Sequence, residues 1–156
     1  MPTSGDMSFG KLLVNGRPRS NLNHIQRDLS HGILGEIRLT DRSGQASTIY
    51  ALRATITFLD DSILYVTEYT SKSGIIDKYF YDWVDVNGRL KAQYHSEPHD
   101  QDKRYQTTTE PYHVHPPKNS ILTNMDRFPN FVHKDLYSIV EGIILFSIIP
   151  SRSELE

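Results

Sequence analysis

The chain has 156 residues, of which 37% are hydrophobic and 23% charged, and this composition predicts one domain that buries its own core. A formal net charge of −2 excludes the basic field of a general nucleic-acid binder, so an activity on RNA requires a local basic patch. The absence of cysteine excludes disulfide frameworks and cysteine-ligated zinc, and it fits a reducing cytoplasm.

Targeting and membrane signals are missing from the sequence. The first thirty residues lack the charged-then-apolar pattern of a signal peptide. The longest apolar run, 143–149, is too short to span a bilayer. We therefore expect a cytoplasmic protein that does not bind membranes.

The N-terminal region is predicted to be an arm followed by a short helix. Residues 1–20 contain Gly, Ser, Pro and Arg without any period, which is typical of a flexible arm. Asn21 can cap a helix over roughly 22–30. The apolar stripe of this helix consists of Leu22, Ile25 and Leu29.

The next part of the chain, 33–97, contains segments in which apolar and polar residues alternate, as expected for strands. The run 33–40 alternates and is a candidate first strand, and the polar run 41–45 is a turn. Strands are then predicted over 48–59, 63–71, 75–86 and 89–97.

The first predicted hairpin turns at Asp60-Asp61. A two-residue turn there places Ile56 opposite Tyr65 on an apolar face. On the other face it places Arg53 opposite Glu68, as a cross-strand ion pair. The turn at 71–74 leaves the next register open by a residue or two, and one choice puts Glu68 beside Tyr79.

The second hairpin turns at Asn87-Gly88, the strongest turn signal in the chain, for which a type I′ turn is expected. This register pairs Tyr81 with Tyr94 and Phe80 with His95. Because side chains alternate between the two faces of a strand, one face becomes rich in tyrosine. Its aromatic members are Tyr79, Tyr81, Trp83 and Tyr94.

The C-terminal half contains a polar loop, an extended segment and a helix. The loop covers 100–109, and the extended segment 110–115 is bounded by prolines. Asn130 is the predicted cap of an amphipathic helix, while 144–149 could continue it or form a strand. The helical stripe comprises Val132, Leu136, Ile139, Val140 and Ile143.

These elements predict an α+β fold. It consists of an antiparallel meander of four to five strands, a short N-terminal helix and a C-terminal amphipathic helix. We expect a single domain over 21–149, preceded by the arm 1–20 and followed by a tail at 150–156.

The order of several motifs resembles the TumE-like toxins of type II toxin–antitoxin systems, over about 52–145. The motifs are an acidic residue in the strand 65–69, a Tyr-x-Tyr strand, Pro98-His99, and a Pro-x-His-x-His segment at 111–115. The resemblance implies a toxin whose partner is a cognate antitoxin, a small DNA-binding protein. The matching residues are Glu68, Tyr79, Tyr81, Tyr94, Pro98, His99, Pro111, His113 and His115.

Metal-independent RNA cleavage is the first functional hypothesis, and it requires no cofactor. Histidine transfers protons well near neutral pH, so His99, His113 and His115 are candidate catalytic residues. Glu68 is a candidate for orienting one of them. Aromatic side chains stack on unpaired bases and arginine binds phosphate. The candidate substrate-binding residues are Tyr79, Tyr81, Tyr94 and Arg53.

Two alternatives stay open. His113 and His115 point the same way in an extended segment, and with His99 or His95 they could bind zinc. The tyrosine-rich face could instead dock a partner protein without any catalysis. A homo-oligomer is compatible with each hypothesis.

Overall fold

A computed structural model describes residues 13–14, 17–96, 113–115, 128–129 and 135–153. A six-stranded antiparallel sheet dominates it, with each strand paired to the next in the chain. Five of these strands have three or more residues, so the predicted α+β meander is confirmed. The strands of the main sheet are β3 (Ala51–Thr57), β4 (Ile63–Thr70), β5 (Ile76–Val84), β6 (Leu90–His95), β7 (His113–His115) and β8 (Phe128–Pro129). Two further strands, β1 (Leu13–Val14) and β2 (Arg17–Pro18), pair with each other in a separate two-stranded sheet.

Helices cover one face of the sheet. Helix α1 (Leu22–Asp28) is followed by a 3₁₀ turn, and α2 (Leu136–Ile143) continues through a π-helical segment into α3 (Ile149–Ser153). The predicted apolar stripe of α1 is buried in the core, as are the stripe residues of α2 from Leu136 to Ile143, together with Ile144 and Ile148. Val132, the first residue of the predicted C-terminal stripe, lies outside the described residues. The run that could have become a strand is therefore helical, because helical spacing extends the buried stripe and burial outweighs β-propensity.

Both helix starts differ in detail from expectation. Asp135 is the N-cap of α2 and accepts a hydrogen bond from the Ser138 N–H, whereas Asn130 lies outside the described residues. Asn21 occupies the N-cap position of α1, but its side chain makes no cap hydrogen bond there. It bonds to the start of α2 instead.

The three hairpins that connect β3 to β6 share one turn geometry, a three-residue loop whose last residue has positive φ. Its hydrogen-bonded pairs are Phe58–Ser62, Ser71–Ile75 and Asp85–Arg89, and the left-handed residues are Asp61 (φ 66°), Gly74 (φ 78°) and Gly88 (φ 79°). The turn 41–45 repeats it with Gly44 at φ 88°. A type I turn followed by a left-handed residue matches the right-handed twist of antiparallel strands.

This turn corrects the register of the first hairpin. Because the loop has three residues rather than two, Ile56 pairs with Leu64, not with Tyr65. Arg53 pairs with Thr67, so the predicted Arg53–Glu68 pair is wrong. Glu68 moves to the buried face.

The predicted register of the second hairpin is confirmed for residues 80–83 of β5, although the predicted type I′ turn is wrong. Phe80 pairs with His95 and Tyr81 with Tyr94. The three-residue loop shifts the closing pairs by one position, and an irregularity between Trp83 and Val84 restores the expected pairing. The pairing of Glu68 with Tyr79 is also confirmed.

The segment before β3 is irregular. Residues 33–40 form isolated bridges rather than the expected strand, one from Arg38 to Thr55 within β3 and one from Ile33 to Phe58 just after it. Within the expected arm, Arg19 bridges to Ile75, and β1 and β2 pair with each other. No helix among the described residues is long and apolar enough to cross a membrane.

Candidate functional site

The sheet separates the predicted site residues into two groups. Directly paired residues of antiparallel strands share a face, and successive residues alternate between faces. We call the side packed on α1 and α2 the helix face, and the opposite side the open face. The helix face contains Glu68, Tyr79, Tyr81 and Tyr94; the open face contains Tyr65, Phe80, Asp82, Gln93, His95 and His115.

The tyrosines of the helix face are part of the core. Tyr79 and Tyr81 have 0% exposure, and their rings stack with centroids 4.1 Å apart and planes 7° apart. Tyr94 is partly buried against the same core. Tyr79 and Tyr81 are enclosed in the core beneath the protein's own helices, so these two rings offer no surface for stacking bases or for docking a partner, whereas Tyr94 keeps part of its surface exposed.

Glu68 is buried among them at 0% exposure. Its Oε1 accepts a hydrogen bond from the Ser20 hydroxyl at 3.3 Å, and its Oε2 has no hydrogen-bond partner among the described residues. Burial raises the pKa of Glu68 to about 7, against the smaller lowering effects of Ser20 and Tyr81. The nearby charge of Asp135 raises this pKa further.

Asn21 links the starts of the two helices beside Glu68. Its Nδ2 donates to Asp135 Oδ2 at 2.7 Å, and its Oδ1 accepts from the Tyr137 N–H at 3.1 Å. Asn21 is itself buried, so these bonds are shielded from water. This corner of the helix face is a structural junction between α1, α2 and β4.

Arg53 has a local structural role. Its guanidinium donates to the Ala46 carbonyl at 2.9 Å and lies 3.9 Å from Asp41. Both partners belong to the segment that folds back on β3. The guanidinium is therefore engaged within the chain rather than paired with Glu68.

The open face brings two imidazoles together. The rings of His95 and His115 have centroids 4.6 Å apart, and Phe80 packs edge-on against His95 at 4.8 Å. His115 has 5% exposure, whereas His95 is partly exposed. The strand β7 thus returns one predicted histidine to the β5–β6 hairpin, on the face opposite the tyrosines.

A carboxylate and a guanidinium lie elsewhere on the open face, at the paired positions of Tyr65, Asp82 and Gln93. Burial raises the pKa of Asp82, while Gln93 and the charge of Arg42 act in the opposite direction. The Asp82 Oδ1 atom is buried and has no hydrogen-bond partner among the described residues. Arg42 lies 4.5 Å from the centre of the Tyr65 ring, which pairs with Asp82 across β4 and β5.

The sequence interpretation did not select Asp82, Gln93 and Phe80. The signal was available, because the Asn87-Gly88 register already placed Phe80 with His95 on the face away from the tyrosines. The number of tyrosines directed attention to the other face, although long aromatic side chains at alternate positions are also typical of a core.

Two predicted histidines stay untested. His99 lies outside the described residues, and for His113 the structure describes only the backbone pairing with His95. No group of three metal-ligating side chains occurs within the ranges that the structure describes. The zinc hypothesis for His99, His113 and His115 therefore stays a prediction.

The comparisons with known proteins agree with the motif order. The family model described as Toxin TumE matches residues 24–144, well over half of the chain. Searches of the curated proteins and of the solved structures found no match. The match begins within α1 and includes all of α2 and the strands that carry Glu68, Tyr79, Tyr81, His95 and His115. The chain therefore belongs to the TumE toxin family, which implies a toxin role in a toxin–antitoxin system.

Proposed function

We propose that this toxin cleaves RNA without a metal ion, at the open face of the sheet. The observation that supports the proposal most directly is the contact between His95 and His115, 4.6 Å apart between ring centroids. Cleavage of a ribose phosphodiester requires two proton transfers, and an imidazole that is held in place by a second imidazole is suited to one of them.

In this mechanism the ribose 2′-oxygen attacks the adjacent phosphorus, and the bond to the 5′-oxygen breaks. A base removes the proton of the 2′-hydroxyl, and an acid protonates the leaving 5′-oxygen. The products are a 2′,3′-cyclic phosphate and a 5′-hydroxyl, so no redox partner or co-reactant is needed.

The different exposure of the two imidazoles assigns them different roles in this mechanism. His95 is partly exposed and faces the substrate, whereas His115 is buried beside it. His95 is therefore the proton-transfer residue, and His115 orients it and sets its protonation. Arg42 is the candidate cation for the phosphate, because it already lies over this face at Tyr65. His99 and His113 stay candidates for the second proton transfer.

Glu68 takes a different role in this proposal. Its side chain lies on the helix face, on the other side of the sheet from His115. A residue in that position cannot touch a substrate bound beside His115. We propose that Glu68 and the tyrosine pair maintain the fold that presents the histidines.

The test is cleavage of a labelled RNA of mixed sequence by the purified protein in the presence of EDTA. We expect a product with a 2′,3′-cyclic phosphate end, and no cleavage where the 2′-hydroxyl is replaced by hydrogen. His95→Gln should lower the rate by 10²-fold or more, the order expected for loss of one acid–base group. His31→Ala is the matched control, because His31 is exposed in the 3₁₀ turn after α1.

Several results would contradict the proposal. Wild-type protein that leaves RNA intact, or His95→Gln protein that is folded and fully active, would remove the basis for it. Stoichiometric zinc in the purified protein, with cleavage lost in EDTA, would favour the zinc hypothesis. Unchanged growth inhibition by a variant carrying His99→Ala and His113→Ala would exclude both of these residues from the mechanism.

The antitoxin is the expected partner of a toxin in this family. We propose that it is a small DNA-binding protein. Copurification of the chain with the product of the adjacent gene, followed by a DNA-binding assay of that product, tests the assignment.

A further inference from the structure

Aromatic rings form a continuous row across four strands of the open face. Tyr69 on β4 meets Phe80 on β5 edge-on at 6.3 Å, and Phe80 meets His95 on β6 at 4.8 Å. His95 then meets His115 on β7 at 4.6 Å. The row therefore leads from the edge of the face directly to the imidazole pair.

Exposure decreases along this row. Tyr69 is 38% exposed, Phe80 and His95 are partly buried, and His115 is only 5% exposed. Aromatic rings on the helix face are packed against helices, whereas Tyr69 and Phe80 keep part of their surface accessible to solvent. The accessible end of the row is thus aromatic, with two rings nearly perpendicular to each other, and the buried end carries the two imidazoles.

A cation lies over the accessible end. The Nζ atom of Lys78 is 5.2 Å from the centre of the Tyr69 ring and 5.8 Å from that of Phe80. Aromatic rings beside a lysine are the combination that binds single-stranded nucleic acid, because bases stack on the rings while the ammonium group attracts phosphate. The carboxylate of this face, Asp82, lies nearer the other end of β5, with Arg42 close enough to affect its pKa.

We propose that Tyr69, Phe80 and Lys78 form a stacking site for unpaired bases of RNA, which directs the neighbouring phosphodiester to His95. This inference rests on the proposed function, since it assumes that RNA is the substrate. It moves base recognition from the buried tyrosines of the helix face to the accessible rings of the open face. The resulting specificity is for unpaired RNA rather than for a duplex, because bases in a helix have no free face to stack.

The experiment measures binding separately from cleavage. A fluorescently labelled 12-nucleotide RNA with 2′-O-methyl groups at every position cannot be cleaved through its 2′-oxygen, so its anisotropy reports binding alone. Tyr69→Ala and Phe80→Ala should each weaken binding by roughly 5- to 150-fold, the range for loss of one base-stacking ring. Tyr69→Phe keeps the ring and should bind like the wild type.

Lys78→Gln should weaken binding and reduce the slope of log affinity against log salt by about 0.7, the contribution of one phosphate contact in a single strand. Lys91→Gln is the matched control, because Lys91 Nζ also lies over an aromatic ring, 4.2 Å from the centre of Trp83. Phe146→Ala is the control for an exposed aromatic ring on the C-terminal helical segment. Both control variants should bind RNA like the wild type.

The outcomes separate this inference from the proposed function. Cleavage that is unaffected by Tyr69→Ala and by Lys78→Gln overturns the stacking site and leaves the ribonuclease intact. Ring-dependent binding of RNA without any cleavage supports the site and contradicts the ribonuclease. Loss of antitoxin binding in these variants, with RNA binding unchanged, identifies the row as a protein interface and overturns the proposal. Phe80 is partly buried, so the more exposed Tyr69 decides the result if Phe80→Ala fails to fold.

Discussion

Replacing Glu68 by glutamine should remove a pH dependence from the stability of this fold. The carboxyl group is fully buried on the helix face, and one of its oxygens has no hydrogen-bond partner among the described residues. Its charged form is therefore poorly stabilised in the folded protein. In the unfolded chain the same group is solvated by water and ionises at its ordinary pKa.

The size of this change in unfolding free energy follows from the shift in the pKa of Glu68. Burial raises the pKa of Glu68 from 4.5 to about 7, so the folded state holds its proton over a range where the unfolded state has lost it. This contribution to stability is fully present below pH 4.5, falls as the pH rises, and is lost above about pH 7. Between pH 5 and pH 8 the wild-type protein should lose on the order of 2–3 kcal/mol from this group.

Urea unfolding at pH 5, 6, 7 and 8 measures this loss, with fluorescence of the single tryptophan, Trp83, as the probe. The difference between wild type and Glu68→Gln isolates the group, because the titration of the seven histidines is common to both proteins. A buried amide has its own cost, but that cost does not change with pH. Glu141→Gln on the exposed side of α2 is the matched control and should leave the pH profile unchanged.

A constant difference in unfolding free energy between the two proteins from pH 5 to pH 8 would refute the reasoning. It would mean that the Glu68 carboxyl is as well solvated in the folded protein as in the unfolded chain. A wild-type protein that gains stability relative to Glu68→Gln as the pH rises would also refute it, since a raised pKa requires the wild type to weaken relative to the variant over that range.

Two further predictions concern the packing of the helices, and urea unfolding measures both. Gly32→Ala should destabilise the fold by about 1–3 kcal/mol, because the new Cβ would lie 2.5 Å from Ile144 Cγ1. Ile144→Ala removes a buried side chain and is itself destabilising, but the loss in the double variant should be smaller than the sum of the two single losses. Additive losses would show that the two sites do not meet. Asn21→Ala should cost about 1–3 kcal/mol by leaving Asp135 and the Tyr137 N–H without their partner. At pH 7, Asn21→Asp should lower the free energy of unfolding more than Asn21→Ala does, because it places a second negative charge beside Asp135. Equal stability of the two variants would contradict the linking role of Asn21.

The turns explain which parts of the fold could be predicted. The hairpin at Asp85–Arg89 has a three-residue loop, but an irregularity beside Val84 restores the register expected for a shorter turn. The hairpin at Phe58–Ser62 has the same loop without such a compensation, so its predicted register was wrong by one residue. A shift of one residue exchanges the two faces of a strand, and this is why Glu68 was expected beside Arg53.

The candidate site was harder to predict than the fold. Tyr79 and Tyr81 were selected as a binding surface because of their number and spacing, but helical packing decides whether such a face is covered. The same alternation correctly assigned Phe80 and His95 to the opposite face. What the pattern could not supply was the position of β7, which brings His115 against His95.

The order of amino acids alone determined the meander of β3 to β6, the N-terminal and C-terminal helices, most of their apolar stripes and the family to which the chain belongs. These are local or linear properties, set by alternation, helical spacing and motif order along the chain. Only the tertiary structure decided which face of the sheet the helices cover, and thereby which aromatic rings become core and which stay accessible. The physical reason is that both faces of this sheet carry several aromatic side chains. Which face becomes buried therefore depends on turn length and on long-range packing, and neither can be inferred from a local sequence pattern.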